Sequence, residues 1–180
     1  MTPASSAASP HLPASVPSSS ARFVRLDRTC HEPFVRFLAD LRANGDQAFF
    51  HPHGFDVEAA RAVIRLAEEG PDEYWLLTAG VDVLGYGMLR GWAEGYAVPS
   101  LGLAVAPRHR GRGLARALMH HLHGRARDRG ACQVRLKVDR RNLTAHRLYE
   151  SLGYVLQDHS QTDLLGLIAL AHHSKVDVGL

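Results

Sequence analysis

One stretch of the chain concentrates residues able to do chemistry: Pro107-Arg108-His109-Arg110-Gly111-Arg112-Gly113-Leu114-Ala115. It follows an apolar run, 101–106, and precedes Leu114, Leu118 and Leu122 at four-residue spacing, so it reads as the turn from a strand into a helix. The first N–H groups of a helix have no partner inside it, and the helix dipole places partial positive charge at the same end. Glycines let the backbone approach an anion closely, and arginines grip one bidentately. These residue types in this order make an anion cradle, and a pyrophosphate is the ligand such a turn suits. Neither the Gly-Lys-Ser/Thr of a P-loop nor the Gly-x-Gly-x-x-Gly of a dinucleotide fold is present.

The distribution of charge points the same way. Residues 107–141 carry ten arginines and Lys137 against Asp128 and Asp139, a net +9 in a chain whose total is +3, so the remainder stands at −6. One segment attracts anions while the rest repels them. A polyphosphate cofactor and a nucleic acid both satisfy that charge. No nucleic-acid reader motif accompanies it, and the negative remainder argues against a long polyanion.

The elements that must position this turn are legible from periodicity and punctuation. A short strand at 21–26 precedes Pro33, after which Phe34, Phe37, Leu38 and Leu41 recur at helical spacing until Asn44-Gly45. The run 49–55, with His51-Pro52-His53-Gly54, reads as a loop. Asp56 is set to cap a second helix bearing Ala60, Val63, Ile64 and Ala67 on one face and closed by Gly70-Pro71. Strands at 73–79 and 83–90 form a hairpin, and a polar segment, 91–100, leads to the strand 101–106. The helix from Gly113 to Arg129 ends at Gly130. Cys132, Val134, Leu136 and Val138 then alternate with polar residues in a strand. Asn142 caps a short helix with Ala145, Leu148 and Leu152 inward, and strands at 154–158 and 163–170 complete the order β-α-α-β-β-β-α-β-α-β-β. The strand–helix–strand unit 101–138 should be parallel.

Bulk properties bound the rest. A length of 180 residues supports one domain, and no apolar run approaches the roughly 20 residues of a spanning helix. The first twenty residues are dominated by Ser, Ala and Pro and contain no charge, so 1–20 reads as a disordered leader ahead of a folded unit at 21–171 and a tail at 172–180. Cys30 and Cys132 are too few and too far apart for a disulfide framework or a zinc site, which favours a reducing, cytoplasmic setting. His120, His121 and His123 are not four apart, so they read as surface residues of their helix and not as metal ligands, while His172-His173 falls in the tail. Arg125, Arg127 and Arg129 read as a solvated helix end.

Two motifs together resemble a known family. Arg110 through Gly113 to Ala115 has the form Arg-x-x-Gly-x-Ala after a strand ending Val-x-Pro, which resembles the acyl-CoA pyrophosphate motif of the GNAT superfamily of N-acetyltransferases. About thirty residues later, Asn142-Leu143-Thr144-Ala145-His146-Arg147-Leu148-Tyr149-Glu150-Ser151-Leu152-Gly153-Tyr154 resembles its second signature. The resemblance implies a mixed α/β domain with a central, mostly antiparallel, twisted sheet of about seven strands. One parallel pair of strands is splayed, and four helices cover the faces. It implies acetyl-CoA as co-substrate, no metal, and a small-molecule or peptide amine as acceptor; a homodimer fits the family. Backbone groups of Leu103, Ala104 and Val105 would meet the pantetheine arm. The main chain of Arg110, Gly111, Arg112, Gly113, Leu114 and Ala115 would hold the pyrophosphate. Asn142 would bond the cofactor near its thiol end, and Tyr149 would protonate the leaving thiolate.

A phenol with a pKa of about 10 matches a thiolate of similar basicity. The base is less evident, because the strand entering the site carries no acid. Glu94 is the nearest carboxylate upstream. Ser100 or Tyr96 positioning a water, and His51 or His53 from the 49–55 loop, are the alternatives.

Overall fold

The computed structural model describes residues 21–171; the leader and the tail, with His172 and His173, lie outside the described residues. Seven strands form one sheet: β1 (Arg22–Arg25), β2 (Glu73–Ala79), β3 (Asp82–Arg90), β4 (Ser100–Val105), β5 (Gln133–Asp139), β6 (Val155–Asp158) and β7 (Asp163–Ala169). Their order is β1-β2-β3-β4-β5-β7-β6, antiparallel everywhere except between β4 and β5. Four helices accompany them: α1 (His31–Ala43), α2 (Val57–Glu69), α3 (Leu114–Asp128) and α4 (Leu143–Ser151). The mixed α/β architecture expected from the sequence is the one observed, and no helix among the described residues is long and apolar enough to cross a membrane.

The helices start and stop where local chemistry directs. Asp56 accepts from the Ala59 N–H at the head of α2, and Asn142 accepts from the Ala145 N–H at the head of α4. Gly45, at φ 74°, takes the left-handed conformation after α1 that side chains resist. Helices α1 and α2 bury Phe34, Phe37, Leu38, Ala60, Val63 and Ile64 against one face of the sheet, where Tyr74, Leu76, Tyr86 and Met88 meet them.

Helix α3 covers the opposite face with Leu118, Met119 and Leu122, all fully buried. Each such side chain contributes roughly 1.5–3 kcal/mol of hydrophobic stabilisation. Two glycines of β3 let it sit close. A Cβ on Gly85 would lie 2.7 Å from Leu118 Cδ1, and one on Gly87 2.8 Å from Leu122 Cδ1.

Two expectations for α3 are corrected. His123 is 5% exposed, not a surface residue, and its Nε2 lies 2.8 Å from the Tyr154 hydroxyl. His121 stacks on Phe23 at 4.0 Å between ring centroids and meets Trp75 edge-on. The sequence shows that three histidines share a helix, but not that β1 and β2, and the residue just before β6, supply partners for two of them. The arginines at the helix end are likewise not simply solvated. Arg125 Nε and Nη2 each donate at 2.9 Å to the buried carboxylate of Glu73, which also accepts from Trp75 Nε1 at 2.8 Å. Arg129 lies 3.9 Å over the Trp92 ring. Burial works against the Glu73 carboxylate, but Arg125 and Trp75 outweigh it and hold its pKa below the ordinary value.

Burial, with Arg127 and His120 adding to it, pushes the His123 imidazole down to about 4. The unfolded chain therefore takes up a proton near pH 6.5 that the folded chain refuses until about pH 4. Stability is full above pH 6.5 and falls as the pH drops through that window, by on the order of 2–3 kcal/mol from this residue. Urea melts at pH 7 and pH 4.5 should show a flatter dependence in His123→Gln than in the parent. An unaltered dependence removes His123 as its source.

Candidate active site

Strands β4 and β5 begin as a parallel pair and then part. Their register is confined to Ser100 opposite Arg135, reinforced by the Arg135 N–H donating to the Pro99 carbonyl at 3.0 Å. Beyond that point β4 has its other neighbour only, β3. Alternate residues of an antiparallel strand turn their backbone groups to the partner. Because the Ala106 N–H donates to the Leu84 carbonyl, the even-numbered residues of β4 face β3, and Leu103 and Val105 turn theirs into the gap. Ala104, between them, gives its own to β3.

The gap opens into a cavity of about 660 Å³ lined by Leu103, Ala104, Val105, Arg110, Gly111, Gly113, Leu114, Ala115, Asn142 and Tyr149. The sequence had placed all ten at the site. Arg112, the eleventh, is exposed and does not line the cavity.

The mouth of α3 forms one end of this cavity. Gly111 and Gly113 have φ values of 73° and 77°, and a Cβ on either would meet nothing within 4 Å. Only the Ala117 N–H, donating to Gly113 O at 3.1 Å, begins the helical ladder, and Gly113 supplies no side-chain cap. The six successive N–H groups from Gly111 to Arg116 thus have no hydrogen-bond partner among the described residues. The Arg110 side chain is fixed by its Nε donating to Val105 O at 3.1 Å and by an ion pair with Asp46 at 2.6 Å. It buttresses the turn and leaves the backbone to face the cavity.

Tyr149 stands at the other side. It is 9% exposed, packs its ring against Tyr154, and its hydroxyl has no partner among the described residues. Burial pushes its pKa up to about 12, so the phenol keeps its proton throughout the physiological range. The Asn142 oxygen is spent on capping α4, at 3.2 Å from Ala145 N.

A second cavity, of about 460 Å³, adjoins the first; Phe49, Phe50, Leu101, Gly102 and Lys137 line both. Its wall includes Glu94, Tyr96, Ser100 and His51. Glu94 and Tyr149 therefore lie in different cavities. His53 is withdrawn from both: its Nδ1 is 2.7 Å from Gly54 O and its Nε2 3.3 Å from the Tyr86 hydroxyl, and burial lowers its pKa.

The family model described as acetyltransferase (GNAT) family matches residues 36–154. The chain belongs to that family. Mycothiol acetyltransferase of Kocuria rhizophila is 32% identical over 121 residues, covering 65% of this chain and 35% of that protein, so the match spans about a third of that relative's length. Among solved structures, the GNAT domain of S. lividans PAT superposes with a TM-score of 0.72 at 18% identity, over 83% of this chain and 90% of that one. A Salmonella typhimurium protein solved with its cofactor acetyl-CoA gives 0.69 at 18% identity, over 89% of this chain and 100% of the other. GNAT membership thus rests on sequence, and the fold agrees.

Sequence reasoning missed the residues that support this site from behind. Asp72 is 6% exposed, and its Oδ1 accepts from the N–H groups of Gly91, Trp92 and Ala93 at 3.1, 2.9 and 3.2 Å. It anchors the start of the 91–100 segment, the far wall of the second cavity. Asp46 was missed in the same way, and neither has a sequence signal, because their partners lie 19–21 and 64 residues away. Replacing Asp72 by Ala leaves three N–H groups without their acceptor and should cost about 1–3 kcal/mol. Amide exchange at 91–93 should rise in that variant, and unchanged protection there would mean that the loop holds itself.

Proposed function

We propose that the chain transfers an acetyl group from acetyl-CoA to a primary amine, by direct attack within a ternary complex. The observation that carries this reading is the run of unpartnered N–H groups from Gly111 to Arg116, five of whose six residues line a cavity whose other wall is the backbone edge of β4 that β5 leaves unpaired. A diphosphate supplies the anionic acceptors that such a run lacks. The extended, amide-bearing pantetheine arm suits the backbone groups of Leu103 and the N–H of Val105, with Ala104 between them; the Val105 carbonyl is taken by Arg110.

A thioester is already activated, so the protein's work is to align the amine with the carbonyl and stabilise the oxyanion that develops. Tyr149, kept protonated by burial, donates to the departing thiolate. Asn142 fixes the start of α4 and so the position of Tyr149 one and a half to two turns later. Glu94, in the adjoining cavity, receives the proton of the amine directly or through a water. That adjoining cavity is the acceptor site in this reading. The Kocuria relative's name, an acetyltransferase for mycothiol, and the acetyl-CoA bound in the Salmonella structure support the same reaction class.

Gly113→Glu places a charged side chain at a positive φ on the cavity wall and should weaken acetyl-CoA binding by more than about tenfold, ~1.4 kcal/mol, in isothermal titration. Parental affinity in a folded variant overturns the cofactor assignment. Tyr149→Phe should lower turnover by about 10²–10⁴-fold with cofactor affinity intact. Undiminished thiol release would leave Tyr149 with a packing role only.

A further inference from the structure

The second cavity is not electrically neutral, and its charges are unevenly satisfied. Three cationic side chains reach its wall: Arg90 from the end of β3, and Arg135 and Lys137 from β5. None has a carboxylate within ion-pair distance among the described residues; Arg135 instead lies over the Tyr96 ring at 5.0 Å. Of the three acids on the same wall, two are already occupied. Asp139 is held by Arg141, whose Nε and Nη2 donate at 3.0 and 2.7 Å. The Asp163 carboxylate accepts from the Thr162 and Ser160 hydroxyls at 2.8 and 3.1 Å. Asp163 is thus held by hydroxyls and not by a cation, and among the described residues only Glu94 has neither a cation nor a hydrogen-bond donor on its carboxylate.

Arg90 carries the sharpest information. Its Nη1 donates to the Pro52 carbonyl at 3.3 Å, while its Nε is buried without a partner. Where an arginine of this chain holds a carboxylate with two donors at once, it uses the Nε–Nη2 edge: Arg28 with Glu68, Arg125 with Glu73 and Arg141 with Asp139, while the single contact of Arg108 with Asp40 uses Nη1. In Arg90 that edge has no acceptor among the described residues. A buried guanidinium N–H left without an acceptor is costly, and a planar carboxylate matches its fork once the Arg90 side chain shifts enough to open the solvent-closed Nε to the cavity.

We infer that the amine acceptor carries a carboxylate, as an amino acid or a compound built like one, and that Arg90 receives this group with Arg135 and Lys137 adding to the field. The inference rests on the proposed function, since it takes the second cavity as the acceptor site. Glu94, the acid of this wall with neither cation nor hydroxyl bound among the described residues, is then left for the amine end. The surrounding cations disfavour an ammonium, which helps to present the amine in its neutral, nucleophilic form.

The experiment compares α- and ω-amino acids with their carboxamides, which keep the amine and lose the negative charge. Thiol release from acetyl-CoA and ligand-observed NMR of each compound on the cofactor-free chain are both measured. Carboxylates should be favoured over the matched amides by at least about tenfold, and Arg90→Gln should erase the preference while acetyl-CoA affinity stays within twofold. Arg90→Lys, which keeps the charge but not the fork, should lose most of it, and guards against a folding defect in the glutamine variant. Equal use of acid and amide, a preference for polyamines, or no binding of either by NMR overturns the inference. Titration with acetyl-CoA alone reports separately on the cofactor reading. A chain that ignores the cofactor yet binds carboxylates through Arg90 sinks that reading and leaves a carboxylate site without an acetyl transfer, whereas one that binds the cofactor and not carboxylates sinks this inference alone.

Discussion

Keeping the first turn of α3 open while the rest of the helix is packed tightly is the constraint around which this structure is organised. The Gly111 to Arg116 amides have no partner among the described residues, and all of these residues except the exposed Arg112 line the cavity. Two glycines of β3 bring Leu118 and Leu122 against the sheet, so the helix is anchored by burial from its second turn onward. Gly111 and Gly113 supply the left-handed backbone that turns successive N–H groups toward the same space. Arg110 then ties the turn to the end of β4 through Val105 and to the loop after α1 through Asp46.

The sheet makes the complementary opening. A parallel pair that kept its register would consume the backbone groups of Leu103 and Val105; parting after Ser100 and Arg135 leaves those of Leu103 and the Val105 N–H available, while Arg110 takes the Val105 carbonyl. Strand β5 still has a full antiparallel partner in β7, with register running from Gln133 opposite Ala169 to Asp139 opposite Asp163. Strand β4 is similarly secured by β3. The splay therefore sits between two intact half-sheets, and the cavity is a defect in pairing stabilised from both sides.

Charge is arranged on the same plan. The basic segment 107–141 is in large part matched by acids from elsewhere: Arg108 by Asp40, Arg110 by Asp46, Arg125 by Glu73 and Arg140 by Asp158. What looks along the chain like one block of positive charge becomes, once folded, a frame of ion pairs. The cations without carboxylate partners include Arg90, Arg135 and Lys137, clustered on the wall of the second cavity.

Much of this was legible before folding. The element order, the glycine-rich turn ahead of α3 and the position of Tyr149 follow from short-range facts: period-two and four-residue spacing, caps at Asp56 and Asn142, and glycines where the backbone must turn left-handed. The family motifs are legible for the same reason, since each lies within a single turn-and-helix unit. Contacts between distant segments were not legible. Asp72 holding the 91–93 backbone, His123 reaching Tyr154, and Arg125 reaching Glu73 join positions 19 to 52 residues apart with no periodic signature. The sequence determined which residues form the cradle, because local backbone conformation depends on neighbours in the chain. Only the tertiary structure decided which charges remain unpaired beside it, because pairing depends on which elements the sheet brings together.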